Sequence, residues 1–393
     1  MTPQWVLLAR LDGLIARLGQ AQQAIATEGQ NTRLCKRIRE DLTGRLSEHT
    51  AALKLSRKKV AAAAQVLQHA WSDTKSSASV RLLDECLLYL QAARSRGSDV
   101  EADLCEISDA LFEELGAKAR SVSWKSFSVF AAEDSFDVLT RIIRVRYPVS
   151  GVWDIPVGVH EFGHFLSGHL RQQSEDGTAT LAFEDYKRTF APPKALTEDQ
   201  TLGPGIEWSS WLDEIFADVF GAYAAGPAFA FSCLLFRFDP SSADEESDGK
   251  HPSYAKRAYV ILQTLRRCNN EPPCKGKFGP AIKLLQESWE AACQAAGISP
   301  EISERLKNWI DGQASTFYYW LKTSEGGLLF SGWQGAEDKM SWLGSPPDSP
   351  GEFTIAELLN TAWMCRLKEN SNPDKLSKNF IKLARKKTEN HDR

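Results

Sequence analysis

His160-Glu161-Phe162-Gly163-His164 is the stretch on which the reading of this chain turns. It has the form H-E-x-x-H. On a helix, residues four apart share a face, so both imidazoles can approach one metal ion. Glu161 lies about 100° further round from His160, within reach of a water on such an ion. The flanks favour a helix over residues 156–170. Asp154 can cap it, Pro156 suits a first turn, and Val157, Val159, Phe162, Phe165 and Leu166 supply buried sides. With 7 His in 393 residues, composition alone produces such a pentapeptide in about one chain of this length in a hundred. The residues downstream therefore have to decide between a metal site and an amphipathic helix with two ordinary histidines.

A catalytic zinc commonly takes three protein ligands and leaves a fourth position open. A third histidine on the same helix is ruled out by the residues present. Ser167 stands where the extended pattern H-E-x-x-H-x-x-G-x-x-H has its glycine, and Leu170 where it has its last histidine. His169 falls about 180° from His160 on a continuing helix and reads as an ordinary histidine. The third ligand has to come from elsewhere. Glu214 and Asp218 form E-x-x-x-D, again four apart on one helix face. Glu214 can bind the ion, and Asp218 can accept a ring N–H from a ligand histidine. Asp213 is the rival, about 100° off that face. The surrounding residues Trp211, Leu212, Ile215, Phe216, Val219 and Phe220 are apolar, and carboxylates in such company usually have partners.

With His160, His164 and Glu214 around zinc (Zn2+), the expected chemistry is hydrolysis, with Glu161 as general base. An oxyanion formed in that reaction needs a second donor. His251, Tyr254 and Arg257 are the candidates. The alternative for these three is a helix start with a capping histidine, and an ion pair from Arg257 to an acid such as Asp218.

The composition sets the wider limits. Hydrophobic content of 42% and charged content of 25% are those of a globular protein. A net charge of −4 gives no global basic field for nucleic acid. The eight cysteines contain no C-x-x-C pair, which suits reduced thiols in a cytoplasmic setting. The apolar run Val6 to Ala9 is too short for a secretory segment. Val219 to Phe236 carries no charge over 18 residues. It is interrupted by Gly226-Pro227 and reads as two buried helices rather than a membrane span.

Three regions are expected. Residues 1–120 read as a helical bundle or coiled-coil hairpin, with stripes at Leu7, Leu11, Leu14, Leu18 and at Leu34, Ile38, Leu42, Leu46. Residues 121–270 hold the site, and residues 271–393 a C-terminal helical domain with a basic tail. Within the middle region, 121–130 partly alternates as a strand, 135–146 looks helical, and 178–183 is a possible short strand. A short strand beside a metal helix is a place where an extended peptide could add. His251-Pro252-Ser253-Tyr254 opens a further helix, with Pro252 in its first turn. The basic residues Lys375, Lys378, Lys382, Arg385, Lys386 and Lys387 read as a solvated tail or helix face.

The three motifs in order are His160-Glu161-Phe162-Gly163-His164, Glu214-Ile215-Phe216-Ala217-Asp218, and His251-Pro252 with Arg257. Together they resemble the M48-type gluzincin metallopeptidases, the group of the CAAX prenyl protease and the HtpX heat-shock protease. The resemblance covers residues 150–265. It implies a mainly α, zincin-like core, zinc on His160, His164 and Glu214, Glu161 as base, Asp218 supporting a histidine ligand, and peptide-bond hydrolysis. The helical flanks and the lack of clear spanning helices depart from the membrane members. The expected protein is a zinc metalloendopeptidase acting on a protein or peptide, with the N-terminal helices as a surface for a partner or a second copy. Two other classes stay open: a zinc amidohydrolase acting on a small molecule or cell-wall fragment, and a scaffold with a vestigial metal site.

Overall fold

The computed structural model describes residues 3–27, 33–62, 82–83, 86, 90, 99–122, 124, 128–131, 135–137, 142–146, 151–173, 179–197, 205–246, 248–299, 301–368 and 371–391. It is mainly helical.

The N-terminal hairpin consists of α1 (Pro3–Thr27) and α2 (Arg33–Ala62). Leu11, Leu18 and Ile25 on α1 and Leu42, Leu46 and Leu53 on α2 are its buried residues, joined by Leu82 and Cys86. The three on α1 recur every seven residues, the spacing of a coiled-coil seam. Asp12 pairs with Arg57, and Gln22 bonds Ser47 at 3.2 Å. Ten residues forward on α1 match ten back on α2, so the two helices run antiparallel.

A second apolar core begins in α3 (Asp99–Lys118) and continues to Ala384 near the C-terminus. Three strands follow α3: β1 (Ser128–Ala131), β2 (Ser135–Asp137) and β3 (Ile142–Arg146). β3 is central, parallel to β1 and antiparallel to β2. Of the strand expected across 121–130, residues 128–130 lie in β1, and residues 123 and 125–127 are outside the described residues. Where a helix is expected over 135–146, the described residues form β2 and β3 instead. Ile142, Ile143 and Val145 are β-branched and lose χ1 freedom in a helix, so they sit better on a paired strand.

The metal-motif helix α4 spans Gly158–Ser167, after a 3₁₀ turn at Ile155–Val157. It is shorter than expected at both ends. Asp154 makes no side-chain cap. It pairs instead with Arg237 at 3.3 Å. β4 (Arg171–Gln173) and β5 (Ala179–Leu181) form an antiparallel hairpin beyond α4, placing the expected short strand. Then come α5 (Ala182–Thr189), α6 (Lys194–Thr197) and α7 (Trp208–Ala225).

α7 ends at Gly226 and α8 (Pro227–Ser232) restarts at once, running into a π turn at Cys233–Arg237. The uncharged run is therefore two buried helices. Among the described residues no helix is long and apolar enough to cross a membrane. The break leaves a carbonyl and an amide in the interior. Asn360, fully buried, accepts from the Ala228 amide and donates to the Ala225 carbonyl, both at 2.9 Å.

The remaining helices are α9 (Tyr254–Asn270), α10 (Gly279–Ala295), α11 (Glu304–Ser324), α12 (Trp333–Asp338), α13 (Met340–Gly344), α14 (Ile355–Arg366) and α15 (Pro373–His391). Pro252 precedes the Ser253 N-cap of α9, so it lies outside the helix and not in its first turn. The basic stretch is only half solvated. Lys375, Lys378 and Lys382 are exposed, but Arg385 pairs with Asp103, Lys387 with Glu114, and Lys386 donates to the Pro347 carbonyl at 2.8 Å. α15 is thereby tied to α3.

Candidate metal centre

The site is made where α4 crosses α7. Gly163 permits the crossing. A Cβ on it would stand 2.9 Å from the Ala217 Cα, closer than any real side chain tolerates. Phe162 and Phe220 stack nearby, with ring centroids 5.7 Å apart. This close approach brings the outer faces of both helices to one point.

His160 and His164 meet there, Nε2 to Nε2, at 3.1 Å. Glu214 faces both. Its Oε2 lies 3.4 Å from His160 Nε2 and its Oε1 3.3 Å from His164 Nε2. A tetrahedral ion with ligand bonds of 2.0–2.1 Å sets its donor atoms about 3.3 Å apart. The spacing of the two nitrogens is close to that, and Glu214 meets the two rings with different oxygens. Glu214 Oε2 is buried, with the Arg257 guanidinium 3.2 Å away as its charged neighbour. Among the described residues, His160, His164 and Glu214 are the one His/Cys/Asp/Glu group whose ligand atoms converge, all within 4.8 Å. These three residues could hold a metal ion.

The other acids have separate partners. Asp218, fully buried, sets Oδ1 3.0 Å from His160 Nδ1. That carboxylate–histidine pair leaves Nε2 of His160 facing His164 and Glu214. Asp213, the rival ligand, turns away to Lys187 of α5, at 2.9 and 3.1 Å, and Lys187 also reaches Glu184 at 3.1 Å. Burial pushes the Asp213 carboxyl up, with Lys187 opposing.

Arg257 of α9 spans the two acids of α7. Nε and Nη2 donate to Asp218 at 2.8 Å each, and Nη1 stands 3.2 Å from Glu214 Oε2. Burial works against charge on Glu214, but Arg257 and His160 outweigh it and hold the carboxyl well below its usual range. Burial and the Arg257 charge likewise oppose protonation of His160, yet Glu214 and Asp218 prevail and push its imidazole up to about 10.

A cleft of about 750 Å³ opens over His160, His164 and Glu214. Glu161 is buried and lines it beside His160. His251 lines it from the other side, 52% exposed, with Nε2 3.6 Å from Glu214 Oε1. Tyr254 is a further lining residue, its ring stacked on Phe238 at 4.9 Å. His169 lines the cleft too, but α4 has ended. Its Nδ1 lies 2.8 Å from the Phe165 carbonyl, away from the ligand group.

Two features escaped sequence reasoning. Asp248 holds His251: Oδ2 contacts Nδ1 at 2.7 Å, and Oδ1 accepts from the Lys250 and His251 amides at 2.8 and 2.9 Å. The D-x-x-H spacing is the signal that could have marked it. Gly249 between them has φ +70°, and its carbonyl accepts from Glu207 N, which ties this loop to the start of α7. Lys187 is the second. Nothing in its local sequence announces that it neutralises Asp213.

Compared with protein-family models, with curated proteins and with solved structures, the chain matches none.

Proposed function

We propose that this protein is a zinc metalloendopeptidase of M48-like gluzincin chemistry. The observation that carries the reading is the convergence of His160, His164 and Glu214 on one point, with Glu161 in the cleft beside it. Two imidazoles and one carboxylate with a side left open are the ligand set of a catalytic zinc. Such an ion, when bound there, polarises a scissile carbonyl and acidifies a water.

The chain's own residues supply the rest. Glu161 takes a proton from the attacking water and passes it to the leaving amine. His251, oriented by Asp248, and Tyr254 face the cleft as donors for the oxyanion. Asp218 keeps His160 in the tautomer whose Nε2 is a ligand. An extended peptide is favoured over a small molecule because the cleft is open on the side where His251 is half exposed.

The test combines metal analysis of the purified protein with hydrolysis of a generic protein substrate by wild type and Glu161→Gln. Stoichiometric zinc, and a fall in kcat of at least about 100-fold in the variant, is the expected result. Unchanged hydrolysis removes Glu161 as the base. Protein that takes up no zinc ends the proposal.

A further inference from the structure

Arg257 is anchored through all three of its guanidinium nitrogens. Its guanidinium reaches across from α9 and touches two carboxylates that stand four apart on α7. Nε and Nη2 form a two-pronged contact with Asp218 at 2.8 Å, and Nη1 stands 3.2 Å from Glu214 Oε2. Nη2 is also 3.3 Å from both ring nitrogens of His160. The cation sits 5.4 Å over the Phe238 ring, which Tyr254 covers from its own side.

We infer that Arg257 is a positioning residue: one guanidinium fork sets the rotamers of Glu214 and, through Asp218, of His160, so that the metal-ligand group is formed before the metal arrives. The inference rests on the metal-centre reading above. Its chemistry is specific to arginine. Asp218 Oδ1 must receive both Nη2 of Arg257 and Nδ1 of His160, and it can do so because the fork holds the carboxylate plane. Glu214 Oε2 is steered by the third nitrogen, which leaves Oε1 on His164. An ammonium is a point charge on a flexible stem and cannot reach both acids in one plane.

The experiment compares wild type, Arg257→Lys, Arg257→Met and, as a control on the same helix, Arg266→Lys, whose guanidinium bonds Gln286 at 2.6 Å. Two readouts are needed. The first is affinity for Zn2+ by chelator competition, with the Co2+ visible spectrum as a report of ligand geometry. The second is the hydrogen-bonded imidazole N–H proton of His160 by NMR in the metal-free protein.

Arg257→Lys keeps the charge and should fold. It is expected to bind Zn2+ about 10- to 100-fold more weakly, with a shifted Co2+ spectrum and loss of the protected N–H signal. Arg266→Lys should match wild type in both. Wild-type affinity and an intact signal in Arg257→Lys overturn the inference, and so does tighter Zn2+ binding in Arg257→Met, which would make the guanidinium a repelling charge. Should wild type take up no metal, the peptidase proposal fails. The N–H signal of the metal-free variants still decides the role of Arg257.

Discussion

Asp218 Oδ1 lies 3.0 Å from Nδ1 of His160, and no part of Asp218 reaches solvent. The contact joins two helices whose residues are far apart in sequence, and it turns the opposite ring nitrogen of His160 toward His164 and Glu214. An ion at that point would inherit its geometry from this pair.

Replacing the carboxylate tests that directly. Asp218→Asn keeps the volume but offers a weaker acceptor to His160 and Arg257. Metal affinity should fall about 10- to 100-fold, measured by competition with a chromophoric chelator. Affinity unchanged from wild type would remove Asp218 from the site's function.

The pH dependence has a defined sign. The His160 pKa is raised to about 10, against about 6.5 in an unfolded chain. Its protonation therefore stabilises the metal-free protein fully below pH 6.5, and the contribution is lost as pH rises toward 10. Ligation needs the neutral ring, so zinc affinity should climb across the same interval. The carboxyl of Glu214 is shifted the other way. Its contribution is present above its ordinary range and lost as pH falls through its lowered value. Melts of metal-free protein from pH 3 to 10, beside zinc titrations, check both. Affinity that stays flat between pH 6.5 and 9 contradicts the assignment.

Gly163→Ala should separate α4 from α7. The new methyl would meet the Ala217 backbone, which cannot swing aside as a side-chain tip can. Overpacking of this kind costs about 1–3 kcal/mol. Because the same crossing brings Glu214 to the histidines, metal affinity should drop along with the melting temperature. A variant that melts lower and keeps full affinity would show that the crossing is not what sets the ligand spacing.

Asn360 should matter although it is remote from the ligand group. It satisfies the carbonyl of Ala225 and the amide of Ala228 where α7 gives way to α8. Asn360→Leu leaves both groups buried without partners, at about 1–3 kcal/mol for each group left unmade. Denaturant unfolding followed by Trp fluorescence measures it, and a loss under about 1 kcal/mol means that the break is satisfied in another way.

Lys187→Met should release Asp213. The carboxylate is then left partly buried beside His164 without its cation, free to compete with Glu214 for an ion. The expected outcome is a changed Co2+ spectrum, removed again by the double variant with Asp213→Asn. A spectrum identical to wild type would show that the position of Asp213 does not depend on Lys187.

Much of the helical architecture could be read from the chain because helical spacing is local. The stripe positions Leu11, Leu18, Leu42 and Leu46, the break at Gly226-Pro227 and the mainly helical character of residues 271–393 follow from side-chain periodicity and from the backbone limits of Gly and Pro. In the segment 135–146 spacing misleads for a related reason. Its apolar spacing suits a helix face, but pairing with β1 decides its form, and pairing partners are not encoded in spacing. Asp154 failed as a cap because Arg237, distant in sequence, claims it.

By itself the sequence determined that His160 and His164 share one helix face and that Glu214 and Asp218 share another, since a 3.6-residue period leaves no other outcome for residues four apart. Only the tertiary structure decided that the two faces meet, that Glu214 and not Asp213 turns inward, and that Arg257 spans both acids. Those outcomes depend on Gly163 against Ala217, on Lys187 drawing Asp213 away, and on the seat of α9 against α7. Each is a contact between residues far apart in the chain, set by close packing and by the cost of leaving a buried charge alone.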